Sequence, residues 1–541
     1  MPVQEIGSIL VKEKIITKEQ LEFCLSAQSN AKNHQKIGSI LKDCNFATSE
    51  QIGRALARQA GWKYFHKKYV VNLLEVEKIG LDFLRDRLFL PVETDNGSAF
   101  IFAHPFDVDT TDRLAAREFY IGDEDTIRHY LDSLSNQKKI KEIDKKIILI
   151  KKAGIIGNEL KDVVDGLLDE AIIRNATDIH IEPQEKTSVI RFRIDGILLH
   201  RLCFPLEVHN NLINVVFSRA EITVSDFYKF HDARFEHSHS DHPVDVRVSC
   251  IPSSCGPALV LRLLNANRNL ITLGNLGFHQ VHFDAIAKVI SKPHGIIIIT
   301  GPTGSGKTTS LYAILNQLKS LSAKIITIED PIEIKMPLIN QVQINEKQNI
   351  TFAHAARAFL RHDPDIILIG EIRDTDTAQE AIRAAITGHR VLSTLHTNSA
   401  VDSVYRLHDL GIDLSHIANS ILCVISQRLI RKLCPFCKRR IIVKKDKLPE
   451  FFKKHLKEEE TEIRVYKAKG CPHCQAGYRG RTVIAEILHF DEDIRDIISS
   501  GKLDLLRHKS REKGFVGMEE DAVRLVREGV TSLKEAERLI G

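Results

Sequence analysis

Gly301, Pro302, Thr303, Gly304, Ser305, Gly306, Lys307 and Thr308 match GxxxxGK[ST] without a mismatch, and Thr309 extends the run. The segment follows the apolar GIIIIT and precedes TSLYAILNQL, so it reads as a glycine turn between a buried strand and a helix. In that setting backbone N–H groups curl around a β-phosphate, Lys307 reaches the β/γ oxygens, and Thr308 offers its hydroxyl to magnesium. ATP and Mg2+ are the ligands such a pattern calls for.

Acids come next. Glu371 ends DIILIGE, where an apolar strand delivers a carboxylate to the γ-phosphate and metal, and it is the first choice for polarising the attacking water. Glu329, Asp330 and Glu333 in IEDPIE leave a neighbouring strand, and at least one of them is expected to face the same metal; which acid is the base stays open. His389 and His396 in GHRVLSTLHTN are expected on a further strand emerging beside the phosphates, where a neutral imidazole can sense the γ-phosphate.

Cys434-x2-Cys437 and Cys471-x2-Cys474 are separated by 33 residues, the pattern of a closed, structural, tetrahedral four-cysteine zinc site. The other six of the ten cysteines are scattered, which fits a reducing compartment better than a disulfide scaffold. Between the pairs, a basic run followed by an acidic one reads as a solvated helical excursion, with docking onto anionic lipid the alternative. His237, His239 and His242 fall where a hairpin turn joins two strands, which speaks against a metal cluster there.

The elements that must carry these residues follow from length and pattern. A chain of 541 residues should hold three or four domains. With 43% hydrophobic residues, 76 basic against 71 acidic side chains and a net charge of +5, it reads as an ordinary globular protein, and the charge alone does not argue for nucleic acid. No apolar run is long enough for a spanning helix and MPVQEIGSIL does not look like a signal peptide, so a cytoplasmic location with at most peripheral membrane contact is expected.

An internal repeat with an offset of 31 opens the chain: IGSILVKEKIITKEQLEFCLSAQ from Ile6 aligns with IGSILKDCNFATSEQIGRALARQ from Ile37. Each copy reads as a helical hairpin whose second helix is capped by Thr17 or Thr48. LFLPVE and SAFIFAHP follow as strands, and the lysine-rich stretch 132–160 reads as a linker or exposed helix. Residues 161–268 suggest a small α+β domain with a helix in VVDGLLDEAIIRNA and strand-like SVIRFRIDGILLH, VDVRVSCI and ALVLRLL. Beyond it, GIIIIT, KIITIED, DIILIGE and RVLSTLH alternate with amphipathic stretches, as buried parallel strands of an α/β domain do.

GPTGSGKTT, ITIEDPIE, LRHDPDIILIGEIRD and GHRVLSTLHTN resemble, in order and spacing, the Walker A, Asp box, Walker B and His box of the secretion ATPase superfamily. ATDIHIEP and RFRIDG resemble the PAS-like domain that precedes the motor there. The resemblance implies a multidomain α/β protein: an N-terminal helical-repeat domain over 1–131, a linker over 132–160, the α+β domain over 161–268, and a RecA-like P-loop ATPase with a parallel sheet over 269–541 that includes the zinc module at 430–480 and C-terminal helices. It also implies arginines directed from the α+β domain to nucleotide, for which Arg234 and Arg247 are the candidates and Arg262 a further one. This segment departs from the pattern: VSDFYKF and HDAR replace the usual elements, and Pro257 stands where a Gly-Glu pair is expected.

The N-terminal repeat is similar to domains that in some pilus-type members bind cyclic di-GMP. Glu5 and Lys36 stand in place of arginines and Lys14 and Asn45 in place of glycines, which speaks for a docking module rather than a dinucleotide site. Function implied by the resemblance is ATP hydrolysis by a homo-hexamer at the inner face of the cytoplasmic membrane, working on a platform protein. The zinc module and the N-terminal repeat, which retraction-type relatives lack, favour extension or secretion over retraction, and CQAGYRGR and the long first domain make type IV pilus assembly the first reading. Type II secretion is the second, and a nucleotide-gated scaffold with little turnover is a third. Nucleic acid is not an expected partner, because no basic stripe interleaved with aromatics accompanies the motor strands.

Overall fold

The computed structural model describes the chain except residues 1–4, 31–35, 67–68, 95–96, 106–113, 115–117, 129, 133, 136–139, 141–158, 224–228, 240–241, 265–271, 472–473, 513–514 and 541. Most of the expected linker therefore lies outside the described residues. Two units are delimited, Met1–Ala266 and Asn267–Gly541.

Two copies of one helical pattern open the first unit, with helices Ile6–Lys12, Lys18–Asn30, Ile37–Asp43 and Ser49–Ala60. The threonine caps form as reciprocal boxes. Thr17 Oγ1 accepts from Gln20 N at 3.1 Å while Gln20 Oε1 accepts from Thr17 N at 2.8 Å, and Thr48 does the same with Gln51. Lys14 (φ 59°) and Asn45 (φ 60°) are left-handed, the conformation for which a glycine is the usual residue; asparagine tolerates it better than lysine. Strands Lys63–Tyr64 (β1), Phe89–Thr94 (β2), Gly97–Phe102 (β3) and Glu118–Ile121 (β4) form a sheet in the order β1-β4-β3-β2.

Period-two alternation then builds an antiparallel sheet from Ala176–Pro183 (β5), Thr187–Ile194 (β6), Ile197–Pro205 (β7), His231–His239 (β8), His242–Ser253 (β9) and Gly256–Leu264 (β10), ordered β7-β6-β5-β10-β9-β8. SVIRFRIDGILLH is two strands rather than one segment, because Asp195 and Gly196 both take positive φ and turn the chain. Ile179, Ile181, Ile190, Phe192, Val246, Val248 and Leu261 share a core with Val163, Leu167, Leu168, Ile213, Val216 and Phe217 of the helices Glu159–Ile173 and Leu206–Arg219. The intervening strand positions form the other face of the sheet.

In the second unit the β-branched runs become Gly295–Thr300 (β11), Ile325–Glu329 (β12), Ile339–Gln343 (β13), Ile366–Ile369 (β14), Arg390–Leu395 (β15) and the long Ile421–Leu433 (β16). With Tyr478–His489 (β19) they make a seven-stranded sheet, β13-β12-β14-β15-β11-β16-β19, parallel throughout except for β19. Alternate residues of β11 feed two different cores. Ile296 and Ile298 join Phe352, Ala381 and Val404, whereas Ile297 and Ile299 join Leu311, Ile314 and Ile286. A strand wholly apolar on both faces is what such burial requires.

The segment between the cysteine pairs is not a helical excursion. Arg439–Lys444 (β17) and Glu462–Lys467 (β18) pair antiparallel, Ile441 opposite Val465 and Val443 opposite Ile463. Ile463 and Val465 are buried with Phe451 and Phe452 against Met518, Val523 and Val526 of the helix Met518–Arg527. The alternation in RRIIVK and EIRVYK outweighs the lysine-rich composition between them, which supplies a 3-10 turn at Lys445–Lys447 and the short helix Glu450–Lys453.

Candidate nucleotide site and four-thiolate centre

Parallel strands deliver their C-terminal ends to one edge of a sheet, and ligands of open α/β folds bind there. Beyond Thr300 of β11 the chain turns through Gly301 (φ 141°), Gly304 (φ 80°) and Gly306 (φ 90°) into the helix Lys307–Leu318. Gly301 is obligatory for packing as well as conformation, since a Cβ there would lie 2.4 Å from the Gln427 carbonyl oxygen. Lys307 Nζ curls over the loop, donating to the carbonyls of Gly301 at 2.8 Å and Pro302 at 3.3 Å. Burial draws its pKa below the ordinary lysine value, and the charge of Glu371 opposes that shift. Thr308 and Thr309 are half-buried in the first helical turn, and Pro302, Thr303 and Gly304 are exposed.

Glu371 stands just past β14. One oxygen pairs with the Arg373 guanidinium and the other lies 3.3 Å from His396 Nε2. Beneath them, Thr394 Oγ1 donates to the Gly370 carbonyl at 2.8 Å and Ile372 N to the Thr394 carbonyl at 2.9 Å, fixing the ends of β14 and β15 together. The His396 loop is tied to β11 by Thr397, whose N donates to Thr300 Oγ1 at 2.9 Å and whose hydroxyl lies 2.7 Å from those of Thr300 and Ser403. Arg373, Thr300 and Thr397 are additions to the expected set: they stand in GEIRD, GIIIIT and GHRVLSTLHTN, but only their tertiary contacts mark them.

One expected residue stands elsewhere. His389 precedes β15 instead of following it, so it lies at the opposite edge of the sheet, roughly 20 Å from His396 by strand rise. There Nδ1 lies 3.0 Å from the Ala384 carbonyl, and the His389 carbonyl accepts from Gly295 at the start of β11. Glu329 is buried, with one oxygen taken by the Tyr312 hydroxyl and the other accepting from Thr327 Oγ1 at 2.6 Å and Gln341 Nε2 at 3.1 Å. Its carboxylate is thereby committed to the core and pushes the Tyr312 pKa up, after burial itself. Glu333 is exposed in the following loop, where its N donates to the Tyr312 hydroxyl at 3.3 Å; Asp330 is exposed at the strand end.

In the first unit Arg234 is opposite Arg247, Arg247 opposite Arg262, and Arg262 opposite Asp178 across β8, β9, β10 and β5. Arg262 Nε bonds Asp178 Oδ1 at 3.0 Å, and Arg234 and Arg262 are exposed. The three candidate arginines thus form one row on the sheet face away from the helices.

Cys434, Cys437, Cys471 and Cys474 converge, with their sulfurs all within 4.8 Å of one another. Spacings of 3.8 Å (Cys434–Cys471), 3.7 Å (Cys437–Cys474) and 3.6 Å (Cys471–Cys474) exclude disulfides. They match the edge of about 3.8 Å that a tetrahedron with metal–sulfur bonds of about 2.3 Å requires. The donor set therefore fits zinc.

A parallel sheet with a glycine loop, a lysine at its mouth and an acid on the next-but-one strand defines a P-loop ATPase. The chain belongs to the family described as "Type II/IV secretion system protein", whose profile matches residues 157–538. It is 42% identical over 378 residues to the "Type II secretion system ATPase E" of Vibrio cholerae, covering 70% of this chain and 74% of that one. It is 40% identical over 377 residues to the "Type IV pilus assembly ATPase PilB" of Thermus thermophilus, covering 69% of this chain and 42% of that one. The fold is also that of the Legionella pneumophila ATPase DotB, with a TM-score of 0.53 at 24% identity over 70% of this chain and 95% of that one. The protein is an ATPase of the secretion and pilus machinery. Among the described residues no helix is long and apolar enough to cross a membrane.

Proposed function

We propose that the protein is a hexameric motor, peripheral at the inner face of the cytoplasmic membrane, that spends ATP on polymerising pilin-like subunits in type IV pilus assembly. The observation that supports its ATPase core is the pairing of Glu371 with His396 just past β14 and β15, at the sheet edge where β11 gives way to the glycine loop and Lys307. In this reading Gly301 to Thr309 hold the triphosphate, Lys307 neutralises β/γ oxygens, and Thr308 holds Mg2+, which when bound would offset the phosphate charge. Glu371 orients and deprotonates water once an oxygen is released from Arg373 or His396, and His396 senses the γ-phosphate. Arg234 and Arg247 contribute positive charge to the transferring phosphoryl group, the role the resemblance implies. The four cysteines hold a structural zinc. The ATP-driven step acts on a membrane platform protein.

Type II secretion is the second reading, favoured by the name of the Vibrio relative and by the larger share of that chain covered. Deleting the gene distinguishes them. Loss of surface fibres with normal release of exoproteins supports pilus assembly, and loss of exoproteins with intact fibres overturns it in favour of secretion.

A further inference from the structure

The phosphate loop rests on a residue that the chemistry above leaves unused. Ser426 of β16 pairs with Thr300, the last residue of β11, so Gln427 is the first residue of β16 beyond the end of that strand. Gln427 is fully buried, and its Nε2 donates to the Ser305 carbonyl at 2.9 Å. The contact is close along the whole turn. A Cβ on Gly301 would meet the Gln427 carbonyl oxygen at 2.4 Å, and one on Gly306 would meet Gln427 Nε2 at 3.2 Å and Leu429 at 3.4 Å.

Two buried atoms in this contact have no hydrogen-bond partner in the structure, Gln427 Oε1 and Ser305 Oγ. A hydroxyl donor and an amide acceptor are complementary, so one bond between them would satisfy both. The amide donor holds the Ser305 peptide with its carbonyl turned back into the protein, which directs the loop's N–H groups outward.

We propose that Gln427 is a positioning residue for nucleotide binding. It sets the shape of the loop through the Ser305 peptide and touches neither phosphate nor metal. Its contribution falls on the grip of diphosphate, common to ATP and ADP, and not on the water-attack step, which belongs to Glu371. The inference rests on the reading of residues 301–309 as the phosphate site.

Gln427→Leu removes the donor without adding charge, and Gln427→Met keeps the length and adds no charge. Each is compared with wild type and Lys307→Ala by titration with Mg-ADP and by steady-state ATPase kinetics on the full chain. The expected result is a Kd for ADP and a KM for ATP both raised about tenfold, as loss of one buried hydrogen bond implies, with kcat within about twofold of wild type. Folded variants that bind ADP like wild type while Lys307→Ala does not would overturn the role of Gln427 and leave the site reading intact. Normal ADP binding by Lys307→Ala would instead remove the reading on which it rests. A fall in kcat at constant KM, or failure of both Gln427 variants to fold, would also overturn the proposal.

Discussion

At the scale of single residues, the two histidines of GHRVLSTLHTN separate by position on one strand. His396 follows β15 and meets Glu371, while His389 precedes it and closes the far end of the preceding helix. His396→Ala should lower kcat roughly tenfold or more, whereas His389→Ala should leave turnover near wild type; ATPase assays on both variants check the pair. The distinction was legible in principle, because β11 and β15 run parallel and only the residue after a strand can reach the loop edge. Lys307, Glu371 and the cysteines were legible because their signals are local spacings. The partners of Glu329 were not legible, because Tyr312 and Gln341 come from other elements and no local pattern reveals them. A second residue-scale consequence concerns pH. His209 is fully buried between Ser188 Oγ and the Pro257 carbonyl, each 2.8 Å away, and burial holds its pKa below the ordinary value. The unfolded chain therefore takes up that proton first as pH falls. Stability is full above the unfolded value of about 6.5 and declines below it. Urea unfolding at pH 7.5 and 5.5 should show the loss, with a smaller difference in His209→Asn.

At the scale of elements, β16 and the segment after it join the four-thiolate centre to the C-terminal helices. Leu433 N donates to the Val530 carbonyl at 2.7 Å, Arg431 pairs with Glu535 at 2.6 Å, and Cys434 follows at once. Purified protein should carry one zinc per chain. Chelation, or Cys437→Ser, should raise hydrogen exchange across β17 and β18 and the helix Met518–Arg527 while leaving β11 to β15 protected, since structural zinc contributes folding energy to its own module. Unchanged exchange would count against a structural metal there. The parallel strands of the motor were readable from their apolar runs. The β17–β18 pair was masked by the lysines in and around it; Lys444 and Lys467 are exposed while Ile463 and Val465 are buried.

At the scale of the whole molecule, most of VSDFYKF lies outside the described residues, and the altered HDAR keeps its arginine in line: Arg234, Arg247 and Arg262 are in register across three strands. If their charge assists phosphoryl transfer, Arg247→Ala should lower kcat without weakening ADP binding, measured by turnover and titration on the same preparation. Register is a long-range property, set by the hydrophobic pattern of whole strands, and could not be counted from spacing.

The central claim is that Lys307 holds the triphosphate while Glu371 prepares the water. Single-turnover hydrolysis of radiolabelled ATP by Glu371→Gln tests it most directly. The account predicts ATP binding close to wild type with release of phosphate slowed at least about a hundredfold; release at the wild-type rate would contradict it.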